Sequence, residues 1–115
     1  MNEHSQKDNS NKEFERRLIQ ALVKIIYESK GRRVTIRAKL LLRVAGEKID
    51  QRTIVRVSMF LKKLVIRNLI KSETRKRFQK SRSLNYIVHE GMKLWDVAKM
   101  SPEEAEKLIQ SELAK

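Results

Sequence analysis

Phe14, Leu18, Leu22, Ile25 and Ile26 recur at i, i+4, i+8, i+11 and i+12, which lines them up on one face of an α-helix. Ser10-Asn11-Lys12-Glu13 just ahead has the S-x-x-E spacing of a capping box, so a helix capped by Ser10 and ended by Gly31 is expected. Residues 1–11 are almost wholly polar and read as a disordered tail. Arg33-Val34-Thr35-Ile36 is short and β-branched, either a strand with one ladder or the entry to the next helix. Ile36, Leu40, Leu41 and Val44 then form a second apolar stripe that Thr35 can cap and that Gly46 can stop in a left-handed turn. After the tight turn Glu47-Lys48-Ile49, Asp50 is a strong N-cap for a third helix at roughly 51–66. In that helix Ile54, Val57, Leu61, Leu64 and Val65 fall on one side. Arg52, Arg56, Met59 and Lys63 fall opposite, with Val55, Lys62 and Ile66 on the flanks.

Asn68, a residue tolerant of positive φ, separates this helix from Leu69-Ile70, which opens an extended stretch. Leu84, Tyr86 and Val88 alternate with Asn85, Ile87 and His89, the period of a strand with one face inward. Two strands joined by a basic connection make a hairpin. Met92–Met100 offers Trp95, Val97 and Ala98 as packing residues. Ser101-Pro102-Glu103-Glu104 is a complete helix start, with Ser as cap, Pro at the first position and Glu closing the box. Ala105, Leu108, Ile109 and Leu113 are the apolar face of the last helix. The fold class expected is mostly α with a small β-hairpin. Residues 12–90 form the domain and residues 91–115 a C-terminal helical extension.

Charge changes this picture more than composition does. The chain holds 27 Lys and Arg against 14 Asp and Glu, and residues 30–89 alone hold eighteen cations against three carboxylates. Self-repulsion on that scale weakens a compact fold, so a polyanionic partner is its natural explanation. The flanks are near neutral or slightly acidic. There is no cysteine, which excludes disulfides, thiolate metal sites and a thiol nucleophile and fits a reducing compartment. Apolar runs are about three residues long, as in Leu40-Leu41-Leu42, far short of the ~20 needed to span a bilayer. A soluble intracellular protein, cytoplasmic or nucleoid-associated, with no membrane partner, is expected.

Helix, short strand, helix, turn, helix and basic hairpin, in that order, resemble the winged helix-turn-helix family over residues 13–89. The most specific stretch is Val57-Ser58-Met59-Phe60-Leu61-Lys62-Lys63-Leu64 followed by Val65-Ile66-Arg67-Asn68-Leu69-Ile70. It is similar to the end of the family's recognition helix, where a Leu-x-x-Leu pair precedes a turn and an apolar strand. Asn68 stands where the family more often has Gly, and the third helix begins a little early. The resemblance implies double-stranded DNA as the partner, with helix 51–66 in the major groove and the 71–82 segment as the wing.

Read from the residues alone, a helix ~10–12 Å across fits a groove ~12 Å wide. Arg52 and Arg56 form an i, i+4 like-charge pair that a helix built only for stability would replace by an ion pair. Each can fork onto guanine or onto phosphate. Gln51 and Thr53 are placed to touch a base edge or phosphate, Val55 and Met59 to meet thymine methyls, and Lys62 and Lys63 add charge. In the hairpin, Arg75, Lys76, Arg77, Lys80 and Arg82 suit phosphates or, inserted, a minor groove, with Phe78 either anchoring the tip or stacking. Arg32, Arg33 and Arg37 flank the start of the second helix, where amides favour phosphate.

Enzymatic chemistry has no foothold. His4 and His89 are far apart, and the basic region lacks a carboxylate cluster for a two-metal centre. The three glycines form no phosphate loop. No cofactor, metal or catalytic residue is expected. Trp95, Leu108, Ile109 and Leu113 either pack back on the first helix, form a homodimer face, or dock a larger protein. Three functions follow: a DNA-binding transcription regulator first, then a small accessory subunit of a replication, transcription or translation complex that holds DNA or RNA, and last a protein-interaction module.

Overall fold

A computed structural model describes the backbone of residues 2–73 and 85–115, and the side chains of 12–73 and 85–115. Its elements are α1 (Asn2–Glu28), β1 (Arg33–Ile36), α2 (Ala38–Ala45), α3 (Gln51–Ile66), β2 (Lys71–Glu73), β3 (Asn85–His89), α4 (Lys93–Met100) and α5 (Pro102–Leu113). The chain is therefore mostly helical with a small antiparallel sheet, the α+β class expected.

The apolar face of α1 makes the centre. Leu18, Leu22 and Ile26 are at most 1% exposed, and burial of each such side chain contributes about 1.5–3 kcal/mol. They belong to one cluster with Leu41 and Leu42 of α2, Leu61 and Leu64 of α3, and Leu94, Trp95, Ala105 and Ile109 of the last two helices. The alternating strand pattern is also realised: Tyr86 and Val88 face the core, while Asn85, Ile87 and His89 are half-exposed. β3 is the middle strand. It pairs antiparallel with β1 from Arg33↔His89 to Ile36↔Tyr86, and with β2 from Lys71↔Ile87 to Glu73↔Asn85.

Several expectations are corrected. The helix α1 begins at Asn2, so Ser10 lies within it and residues 2–11 continue its backbone; no Pro or Gly interrupts that segment. It ends at Glu28 and not at Gly31, which does not adopt positive φ. Its last carbonyls are met by the Lys99 ammonium, which donates to the backbone oxygens of Tyr27 (3.2 Å) and Ser29, a cation where the helix dipole favours one. Arg33–Ile36 is a strand, with Thr35 paired to Ile87 in the ladder, so Thr35 does not cap α2; Arg37 holds that position without a side-chain bond. Gly46 does stop α2, at φ 75°, with its N–H on the Arg43 carbonyl.

The C-terminal helices pack on α1 and share its core. Trp95 and Ile109 are buried, so the docking or dimer face expected to include them is not available there. Leu108 and Leu113 are half-buried against the same cluster. Arg67, just past α3, ties the two ends together by donating from Nε to the Glu112 carbonyl at 2.6 Å.

Candidate nucleic-acid interface

The position of α3 is fixed at both ends by its own sequence. Asp50 accepts from the Thr53 amide at 3.0 Å, and the Thr53 hydroxyl accepts in return from the Asp50 amide at 3.0 Å. The same hydroxyl donates to the Lys48 carbonyl at 2.8 Å. Thr53 thus completes a capping box in the place Glu usually takes. The hydroxyl expected to touch a base edge or a phosphate therefore already donates and accepts within the turn. The Thr53 amide bond, more than any other influence, holds the Asp50 carboxyl below its ordinary pKa. At the far end Asn68 adopts φ 61°, the geometry the sequence required of it, and the Leu69 amide closes on the Leu64 carbonyl at 2.9 Å.

Between these anchors α3 buries Val57, Phe60, Leu61 and Leu64. Gln51, Arg52, Val55, Arg56, Met59, Lys62, Lys63 and Ile66 are exposed. At about 100° per residue, Val55, Met59 and Ile66 form the crest of the outward face. Arg52, Arg56 and Lys63 lie on one shoulder, and Gln51 and Lys62 on the other. The sixteen residues of α3 contain four cations and no carboxylate.

Arg56 is less available than the sequence suggests. Its guanidinium carbon sits 4.0 Å from the centre of the Phe14 ring, a cation–π contact that ties it to α1. With Met59 and Lys63 it edges a groove of about 270 Å³ between α1 and α3, closed on the other side by Phe14, Glu15 and Leu18.

The remaining candidates divide. Arg32 and Arg37 are exposed, Arg37 at the start of α2 as expected. Arg33 is not at that helix start; it lies in β1 and makes a 3.9 Å ion pair with Glu73. Arg75, Lys76, Arg77, Lys80 and Arg82, with Phe78, lie outside the described residues. Lys71, at the base of the hairpin, approaches His89 Nε2 at 3.2 Å, while His89 Nδ1 faces the Glu90 carbonyl at 2.8 Å. A carbonyl only accepts, so Nδ1 is the donor of the contact with Glu90.

Val55 and Ile66 are expected on the flanks, and Phe60 is not among the residues expected on the inward side. The structure turns the helix so that Phe60 is buried and the other two stand out. The signal was weak because apolar residues occur on both faces of α3, which leaves its inward direction loosely set.

Among the described residues, no three His, Cys, Asp or Glu side chains are grouped to hold a metal ion. Nor is any described helix long and apolar enough to cross a membrane. Comparison with protein-family models, curated proteins and solved structures finds no match for this chain.

Proposed function

We propose that this protein binds double-stranded DNA and acts as a transcription regulator, as a winged helix-turn-helix with α3 in the major groove. The wing, residues 71–82, lies on phosphates or in the minor groove. The observation that carries this reading is the outward face of α3, with Arg52, Arg56, Lys62 and Lys63 around an exposed crest and no carboxylate in the helix. A helix of sixteen residues is about 24 Å long, enough to traverse a groove ~12 Å wide. Duplex DNA offers one negative charge per ~1.7 Å, which would relieve the repulsion those cations suffer in the free protein.

The element order supports the same reading. A strand precedes a pair of helices joined by a short turn, and a hairpin follows the second of them. That second helix, α3, leaves Arg52, Lys62 and Lys63 exposed. The protein is a binding module and not an enzyme in this reading, since its cations need no cofactor to attract phosphate.

Titration of a labelled mixed-sequence duplex at rising salt tests the proposal. Affinity should fall with a log–log slope of about −0.9 for each phosphate neutralised, and a duplex containing the regulator's own site should bind at least ~10³-fold tighter than random sequence. Absence of binding, or an affinity indifferent to salt, would contradict it.

A further inference from the structure

The crest of α3 is apolar, and we infer that its Val55 and Met59 read thymine C5 methyl groups in the floor of the major groove. The inference rests on the reading of α3 as a major-groove helix. Val55, Met59 and Ile66 are 51%, 58% and 75% exposed, and they are three of the six large hydrophobic side chains exposed among the described residues. At about 100° per residue they fall within roughly 40° of one another, opposite Val57 and Leu61. Three apolar groups held in water on one line are a cost that a partner surface can remove.

The rest of the face narrows what that partner is. Adenine is read by Asn or Gln, cytosine by Asp or Glu, and guanine by Arg or Lys. Helix α3 has no Asn, Asp or Glu, and its one Gln is the first residue. Its cations sit on the shoulders, towards the phosphates that wall a groove, and Arg56 is drawn towards Phe14. What remains over the base pairs is two branched or thioether side chains, whose match on a base edge is the thymine methyl. A second copy of the chain on the same crest would bring four cations against four cations, with no carboxylate from either α3 to offset them. Charge complementarity therefore favours DNA over self-association.

The test compares an alternating adenine–thymine duplex with the same duplex carrying uracil for thymine. The two share phosphates and minor-groove edges and differ by the methyl group. Uracil should weaken binding about fourfold for each methyl contacted, the worth of one buried CH₂ group, with the salt slope unchanged. The Val55→Ala/Met59→Ala variant should bind both duplexes equally, near the affinity of the unaltered protein for uracil DNA. Met59→Gln alone should lose part of the discrimination, and circular dichroism should show both variants folded.

Equal affinity of the unaltered protein for the two duplexes, with binding still salt-dependent, overturns methyl reading and leaves DNA binding standing. No salt-dependent binding to either duplex overturns both. Discrimination that survives in the double variant assigns it to duplex shape and removes the crest from the account. A shift in sedimentation on mutating the crest means that a second copy covers it, which also overturns the inference.

Discussion

Replacing Ile109 by Ala tests whether the last helices are part of the core or an appendage. Ile109 is fully buried, on the face of α5 that joins the cluster centred on α1. The substitution removes three carbons, about 2.4 kcal/mol at ~0.8 per CH₂ equivalent, and leaves a cavity that raises the loss to about 3–4 kcal/mol. A chain of 115 residues has a total stability of roughly 6–17 kcal/mol, so this is a large fraction. With a urea dependence near ~2 kcal/mol per molar, the midpoint should fall by about 1.5–2 M. Trp95 makes the assay specific: it is the sole tryptophan, it is buried, and it belongs to α4. Its fluorescence should change in the same transition as the far-ultraviolet helical signal, which α1 and α3 dominate. A midpoint that does not move, or a Trp95 transition that precedes the loss of helix, would refute the shared core.

Other perturbations address the supports of α3. Asp50→Ala should lower the thermal midpoint at neutral pH, and the gap to the unaltered protein should close on acidification. The folded carboxyl titrates below its ordinary 3.8, so its contribution is complete above that pH and is lost as pH falls through the lower folded value. A gap that stays constant in acid would contradict the role given to the ionised cap. Asn68→Gly should be tolerated, whereas Asn68→Val should cost about 1–2 kcal/mol, because a β-branched residue resists positive φ; equal midpoints in thermal melts would contradict this. Arg67→Lys should lose about 1–2 kcal/mol and speed amide exchange in the last turn of α5, since an ammonium lacks the Nε–H that meets the Glu112 carbonyl. Unchanged exchange would remove Arg67 as the tether.

Where one residue type answered one local need, the sequence was legible. Asp50 and Ser101 mark the helix starts that the structure shows, and Gly46 and Asn68 mark the left-handed turns. The inward alternation of Tyr86 and Val88 followed from period two alone. Signals that compete for the same residues were not legible. Ser10 and Glu13 form a valid box pattern, but an uninterrupted run of helix-compatible residues carries α1 past it. Thr35 could cap a helix or fill a strand, and pairing with Ile87 decided for the strand. The burial of Trp95 and Ile109 depends on how α4 and α5 return to α1, a long-range packing fact with no local signature. Likewise the Arg56–Phe14 contact joins residues 42 positions apart, so the candidate face could be listed from sequence but not divided into crest and shoulders.

The central claim is that the outward face of α3 meets the phosphates of duplex DNA. Its most direct measurement is the salt dependence of binding to one mixed-sequence duplex for the unaltered protein and for Arg52→Gln/Lys62→Gln/Lys63→Gln, three exposed changes on the two shoulders. If each reaches a phosphate, the log–log slope should become shallower by about 2.7 while the fold is retained. An unchanged slope and affinity in the folded triple variant would contradict the claim.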